Sequence, residues 1–444
     1  MLAAFALCLL PIQDVGAEKR RLTLGPDKRV ELDFQHYYKT RELRIALSSL
    51  AATYPEFVQL ETPGKSRGGE DLWVVRLGDN ANSDPATKPA MFIYAAEGLS
   101  NLQGTELALA SLVEFLQENA RQERVGRALR ETTMYFMPCG NPDLRTLVLD
   151  GLESGSSAGA FTNPRVDLER NYPVGWGPFH DAGAALSQGP GPYPLSEPET
   201  RQVASFLISH ENIGVVVGFA PSAFKLNSAV PSGAQGLEPE SLRSLRDGQS
   251  GVGGALLEFT GRTADERGCF DDFAYGQFGA WPLRVLVGDI DAQTGLALPR
   301  TDEIGPQAKR VAASLLALSE ALPRLAIAGT SVQRLKNDLW QVELSIANNG
   351  QLRTQSGLGS ARNAVAAPRL QVRGGKVLGA GLRALKSDSY ASIPVDDGQV
   401  SLSELEGGAQ LRARVLVLAP AETSLELTVS SPRAGTVTAA LVLR

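Results

Sequence analysis

"MFIYAAEGLSNLQGTELALASLVEFL", Met91 to Leu116, decides how this chain is read. Met91–Ala96 is a continuous apolar run of strand length, and Thr105–Asn119 places apolar residues at helical spacing. A buried strand leading straight into an amphipathic helix is the building unit of a layered α/β domain. The turn between them, Ala95-Ala96-Glu97-Gly98-Leu99-Ser100-Asn101, falls where such folds commonly place catalytic groups, beyond the carboxyl end of a strand. It contains no histidine, and Glu97 is its one carboxylate.

Working outward, the same alternation continues. Tyr37–Leu60 reads as a helix with Leu43, Ile45, Leu47, Leu50 and Ala51 at roughly helical spacing, closed by Pro55. Gly64–Asp79 is a turn and a strand in which Trp73, Val75 and Leu77 alternate. Thr132–Asp143 is a strand running into a turn, and Leu149–Asn163 is a small-residue loop. Ser196–His210 is a helix whose Ser196 and Glu199 have capping-box spacing. Ile213–Ala220 and Leu283–Ile290 are buried strands, and Pro306–Leu322 is a further helix. The expected fold class is α/β: a mixed, mostly parallel sheet flanked by helices. From Ala326 to Arg444 helical periodicity disappears. Short runs such as "WQVELSIAN", "LRARVLVLAP" and "TVTAALVLR" between Gly, Asn, Pro and Asp predict a small all-β sandwich. The expected domains are 18–325 and 326–444, joined by a cleavable connection near Leu325.

Composition is that of an ordinary globular protein, 43% hydrophobic and 21% charged over 444 residues. A net charge of -6 without a basic run argues against nucleic acid as a partner. The apolar run Leu2–Leu10, with Pro11 and the small residues Val15-Gly16-Ala17, resembles a secretory signal cleaved after Ala17, although no Lys or Arg precedes it. It is far shorter than the ~20 residues that span a bilayer, so no transmembrane segment is expected and export to the periplasm or outside the cell is. Cys139 and Cys269 would remain after cleavage; they either pair or stand as two separate buried thiols.

Several motifs, in order, resemble the zinc carboxypeptidases of the carboxypeptidase A/B type. They are "YPEFVQLETPGKSRGGEDLWVVRLG" (54–78), "CGNPD" (139–143), "VDLERNYPVGWG" (166–177), "LSEPET" (195–200) and "DDFAYGQFGAWPLRVLVGD" (271–289). "VELSIANNGQLRT" (342–354) resembles the β-domain that follows the catalytic domain in some bacterial members. The resemblance covers most of residues 36–322. It implies a carboxypeptidase-like fold and a zinc ion with three protein ligands, in which the metal activates water and polarises the peptide carbonyl.

The groups this chemistry needs are missing. Anchored on Gly104-Thr105-Glu106, the family pattern places Gly98 at the first ligand position and Asn101 at the second. The third ligand falls on Ala220, and the general-base glutamate on Leu286. No shift of register restores the site. The three histidines are His36, His180 and His210; none has a glutamate three residues on, and none follows residue 210. The expectation is therefore no zinc, no catalytic residue and a non-catalytic member of the family, a pseudo-peptidase that binds or scaffolds.

Around the relic positions, Glu70 replaces a substrate-binding arginine, and Glu169-Arg170 replaces the Asn-Arg pair that holds a substrate carboxylate. Arg170, Glu169, Glu70, Asn171 and Tyr275 are the candidate cleft contacts, with Tyr172 and Trp176 as further aromatics that fit a core equally well. Glu70 and Glu169 either make the cleft negative or pair with Arg67, Arg170 or Arg262. Two other classes compete. One is a hydrolase acting on peptides or peptidoglycan through an unrecognised site, with Ser100 or Ser222 as nucleophile but no histidine to activate it. The other is a surface-binding protein acting through the C-terminal β-domain. The partner, whether protein, peptide or glycan, is not written in these residues.

Overall fold

The computed structural model describes residues 30, 32–34, 36–98, 102–119, 121–154, 166–177, 189–220, 257–259, 268–286, 301–384 and 389–444. The apolar run at 1–17 and the residues Ser100, Asn101, His180, Ser222 and Arg262 lie outside them.

Helix α1 (Thr40–Thr53) buries Leu43, Ala46, Leu47 and Leu50. Ile45, expected in the same apolar stripe, is 53% exposed. Two residues from both Leu43 and Leu47, it projects about 200° around the helix from each. Strands β1 (Val58–Lys65) and β2 (Asp71–Leu77) form an antiparallel hairpin. β2 is covered on both faces: Val75 and Leu77 join one core cluster, Leu72 and Val74 another.

Next come β3 (Ala90–Tyr94), α2 (Gly104–Asn119), α3 (Glu123–Glu131), β4 (Thr133–Met137) and α4 (Pro142–Glu153). They are followed by α5 (Pro198–Ser209), β5 (Ile213–Ala220), β6 (Leu257–Phe259), α6 (Phe270–Phe278), β7 (Trp281–Leu286) and α7 (Thr301–Ala321). The strands build one sheet in the order β1-β2-β4-β3-β5-β7-β6. The central neighbours β4, β3, β5 and β7 run parallel, and antiparallel pairs close both edges. β3 is buried along its whole length because both faces of this sheet carry helices.

The capping box expected at α5 does not form. The helix begins one residue past Glu197 with Pro198 in its first turn. Ser196 Oγ instead meets the Asn171 amide at 2.9 Å and Glu197 Oε1 at 3.1 Å, while Glu199 Oε1 accepts from the Arg67 backbone N–H at 2.8 Å. Proline at the first helical position leaves no backbone donor there to cap.

The C-terminal region is all β apart from α8 (Gly357–Arg362). β8 (Leu325–Lys336), β9 (Leu339–Asn348), β10 (Arg369–Arg373), β11 (Lys376–Ala384), β12 (Ala391–Ile393), β13 (Val395–Asp396), β14 (Gln399–Ser401), β15 (Gln410–Leu418), β16 (Ser424–Ser431) and β17 (Gly435–Val442) form two five-stranded sheets. Their orders are β13-β14-β10-β16-β17 and β12-β11-β15-β9-β8, and every pair is antiparallel. Between them lies a separate core centred on Trp340, Val342, Ala413, Val415 and Leu427.

The junction between the two regions is not an exposed linker. Only Leu322, Pro323 and Arg324 separate α7 from β8, and Leu322 is fully buried. The Gln351 and Leu352 amides both donate to Ala321 O, at 3.0 and 2.9 Å. Arg433 Nη1 donates to Gly279 O at 2.7 Å. Gly279 ends α6 in the left-handed conformation, and a Cβ there would come within 2.3 Å of the Gly359 backbone.

Candidate functional site

The mouth lies beyond the carboxyl ends of β3, β5 and β7. Parallel pairing of the central strands brings three relic positions together. Ala220, the last residue of β5, stands directly opposite Leu286, the last residue of β7. Gly98 follows β3, which pairs with β5 on the other side. The backbone layout of a three-strand metal site is thus present, and the difference is in the side chains.

The turn after β3 is held firmly. Ala96 takes a positive φ of 55°. The Gly140 amide donates to Ala95 O at 2.8 Å and the Asn141 amide to Ala96 O at 3.0 Å. The Asn141 side chain donates to Glu97 O at 3.0 Å, and its Oδ1 caps α4 by accepting from Leu144 N at 3.1 Å. The "CGNPD" run therefore clamps the mouth loop and starts the next helix.

Glu97 is drawn into the protein and is 3% exposed. The Tyr172 hydroxyl donates to its Oε1 at 2.7 Å. Tyr172 is fully buried, with Phe270 and Phe273 against its ring at 5.4 and 5.3 Å. Burial in this apolar surround holds the Glu97 carboxyl well above its ordinary range. The Tyr172 hydrogen bond opposes that shift, and the Glu169 charge adds to it. Below, Arg284 on β7 bonds Asp271 on α6 at 2.8 Å, with both side chains under a tenth exposed.

Gly98 sits under Glu169. A Cβ built on Gly98 would lie 2.5 Å from Glu169 Oε2 and 2.8 Å from its Cδ. Glu169 belongs to a single 3-10 turn, Leu168–Arg170, capped by Asp167, whose Oδ1 accepts from Glu169 N at 3.1 Å. Zinc does not fit the residues present. The first ligand position, Gly98, has no donor atom and lies against the Glu169 carboxylate, and the alanine and leucine at the β5 and β7 ends have none either. Among the described residues, no group of three or more His, Cys, Asp and Glu is placed to hold a metal ion. His36 lies beside Asp33 and Glu42, and His210 stacks on Phe206 at the end of α5.

The other expected contacts sort differently. Asn171 is fully buried, and its amide is spent on the fold: it donates to Pro190 O, Tyr193 O and Ser196 Oγ and accepts from Glu197 N and Thr200 Oγ1. Tyr275 is in the main core cluster, beside Trp281. Arg170 pairs with Asp167 at 3.4 Å while remaining 37% exposed. Glu70 projects into solvent, and Arg67, considered as its partner, bonds Glu197 at 2.6 Å instead. Cys139 and Cys269 are both buried and are not joined by a disulfide, so the two-thiol alternative holds; burial pushes the Cys139 thiol up to about 11. Trp176 Nε1 donates to Pro190 O at 3.0 Å. Tyr172 as the partner of Glu97 was not foreseen, because the two lie far apart in sequence and only the parallel sheet joins them.

Comparison with known proteins agrees with this geometry. A family profile described as zinc carboxypeptidase matches residues 43–314, and one described as a domain of unknown function matches 324–442. Carboxypeptidase B of Astacus astacus is 27% identical over 56% of this chain and 84% of its own length. Carboxypeptidase D of Rattus norvegicus is 30% identical over 34% of this chain but only 11% of its own length, so this chain spans about a tenth of such relatives. Among solved structures, carboxypeptidase A of Helicoverpa armigera superimposes with a TM-score of 0.50 at 18% identity, covering 65% of this chain and 75% of that one. Thrombin-activatable fibrinolysis inhibitor superimposes with the same score at 16% identity, covering 64% and 74%. By its profile, its fold and the arrangement of β3, β5 and β7, the chain belongs to the zinc carboxypeptidase family.

Proposed function

We propose that this protein is a non-catalytic, exported member of the zinc carboxypeptidase family that binds a ligand or scaffolds a partner. The observation that carries the reading is Gly98 beneath the Glu169 carboxylate: the first ligand position offers no donor atom, and a carboxylate lies against it. Export rests on the apolar run Leu2–Leu10 and the small residues before Glu18. Among the described residues, no helix is long and apolar enough to cross a membrane.

The mouth favours a neutral or cationic ligand. Glu169 and Asp167 stand at its rim, and Arg170 is engaged by Asp167. Charges a few ångströms apart interact by about 1 kcal/mol when solvated and by more when sheltered. Calorimetry with a peptide carrying a free C-terminal carboxylate and with its amidated twin tests this. The amide binds at least as tightly on this reading. Tighter binding of the free acid, lost in Arg170→Ala, would show that the ancestral carboxylate clamp still works.

A further inference from the structure

The outer face of the C-terminal sheet carries positive charge that no described residue answers. Ala413, Val415 and Leu382 turn into the sandwich core, so Arg412, Arg414 and Arg383 lie on the opposite face. Arg383 on β11 pairs directly with Arg412 on β15. Like charges placed opposite each other on neighbouring strands destabilise a sheet. Arg414 is neutralised by its cross-strand partner Glu343, with Nη2–Oε1 at 2.7 Å and Nε–Oε1 at 2.8 Å. Arg383 and Arg412 make no hydrogen bond or ion pair with a described residue, and both Nε atoms are shielded from water without a partner. Among the described residues, three guanidiniums face one carboxylate on this patch, two positive charges in excess.

Tyr390 lies among them. The Arg414 guanidinium carbon sits 3.9 Å from its ring centroid and that of Arg383 sits 5.1 Å away. The ring packs over Gly381, where an added Cβ would meet Tyr390 Cβ at 3.2 Å. Its hydroxyl is buried and has no partner. Two opposed cations and an unpartnered hydroxyl are thus gathered at one spot; the Tyr390 ring offsets part of the cost by cation–π contact, but among the described residues no anion answers Arg383 and Arg412.

The geometry points to an oxyanion site at Arg383, Arg412 and Tyr390 that takes a phosphate group. Guanidiniums donate paired N–H bonds to phosphate oxygens, and a phosphate carries close to two negative charges near neutral pH, matching the excess. The tyrosine hydroxyl supplies a further donor. This site lies on the β-domain and stands apart from the reading of the relic mouth; either holds if the other fails.

The test is calorimetric titration of the full chain with inorganic phosphate at constant ionic strength, alongside glycerol phosphate. Saturable binding is expected, weakened about tenfold in Arg383→Gln/Arg412→Gln and several-fold in Tyr390→Phe. Arg373→Gln, on the other sheet, leaves it unchanged. Tighter binding of glycerol phosphate assigns the site to a phosphate ester; equal or weaker binding assigns it to the free ion. The double variant also melts no lower than the parent without phosphate, since its loss removes a repulsion, and phosphate raises the melting temperature of the parent alone. If the double variant fails to fold, Arg412→Lys keeps the charge, loses the paired donors and is expected to bind more weakly. Absence of saturable phosphate binding, or equal binding by every variant, would overturn the proposal.

Discussion

Two buried glutamates flank the start of α2, and the protein treats them in opposite ways. Glu106, fully buried, is bonded by the fully buried Arg145 of α4 and accepts from the Tyr38 backbone N–H at 3.0 Å. Arg145 reaches on to Tyr38 O at 2.8 Å and Leu102 O at 3.1 Å. One ion pair thus ties the N-terminal segment and the far end of the mouth loop to two helices. Glu97 is as deeply placed, but its hydrogen-bond partner is the neutral Tyr172 hydroxyl, and among the charges acting on it the acid Glu169 outweighs the cation Arg284. Burial raises the pKa of both carboxyls; at Glu106 a directly bonded cation opposes the shift, whereas at Glu97 a neutral hydroxyl opposes it most and a neighbouring acid adds to it. The carboxypeptidase-like sheet is present here, while among the described residues no cluster is placed to hold a metal ion and the mouth carries Glu97 and Glu169.

The contrast can be broken at its strong end first. Arg145→Leu should leave Glu106 uncompensated and cost about 3–5 kcal/mol in urea unfolding, the usual effect of removing one partner of a buried pair. A loss below about 1 kcal/mol would mean that the pair is not a clamp. Gly98→His should be the next largest effect. Its side chain must push aside the tip of the partly exposed Glu169 side chain, at the low end of overpacking costs, about 1 kcal/mol. Adding Glu169→Asn should recover much of that loss in a thermal melt. If Gly98→His alone is as stable as the parent, the Glu169 carboxylate does not fill the relic ligand space.

The smallest effect concerns pH. Unfolded Glu97 titrates near 4.5, and in the native state it keeps its proton to higher pH. Between those two values the native state binds more protons than the unfolded state. The contribution of Glu97 to stability is therefore fully present below the unfolded value and is lost as pH rises through the native one. Glu97→Gln removes this slope while retaining an acceptor for Tyr172. Its melting temperature should gain on the parent's as pH is raised from about 4 to about 8. Parallel profiles would show that Glu97 is already ionised in the fold.

Much of this architecture could be read from the chain. Met91–Leu116 gave a strand and helix where β3 and α2 stand, because a fully buried strand must be apolar on both faces. The empty ligand positions were equally legible, since a missing histidine needs no structure to be noticed. What local pattern could not supply was the pairing of distant residues. Tyr172 meets Glu97, and Glu169 covers Gly98, only after the sheet has aligned β3, β5 and β7. Ser196 looked like a helix cap, but Asn171 claimed it through a contact across the fold. Ile45 looked like core because spacing was judged loosely over one turn. The apposition of Arg383 and Arg412 depends on the register between β11 and β15, which are neighbours in the sheet but not in sequence, so no local window contains it.

Elemental analysis of the purified full chain after incubation with zinc and removal of the free ion addresses the loss of the metal centre. A glycine under a carboxylate, with alanine and leucine at the ends of β5 and β7, should retain no stoichiometric zinc. About one zinc per chain, released by chelator and absent from a chain denatured before loading, would contradict it.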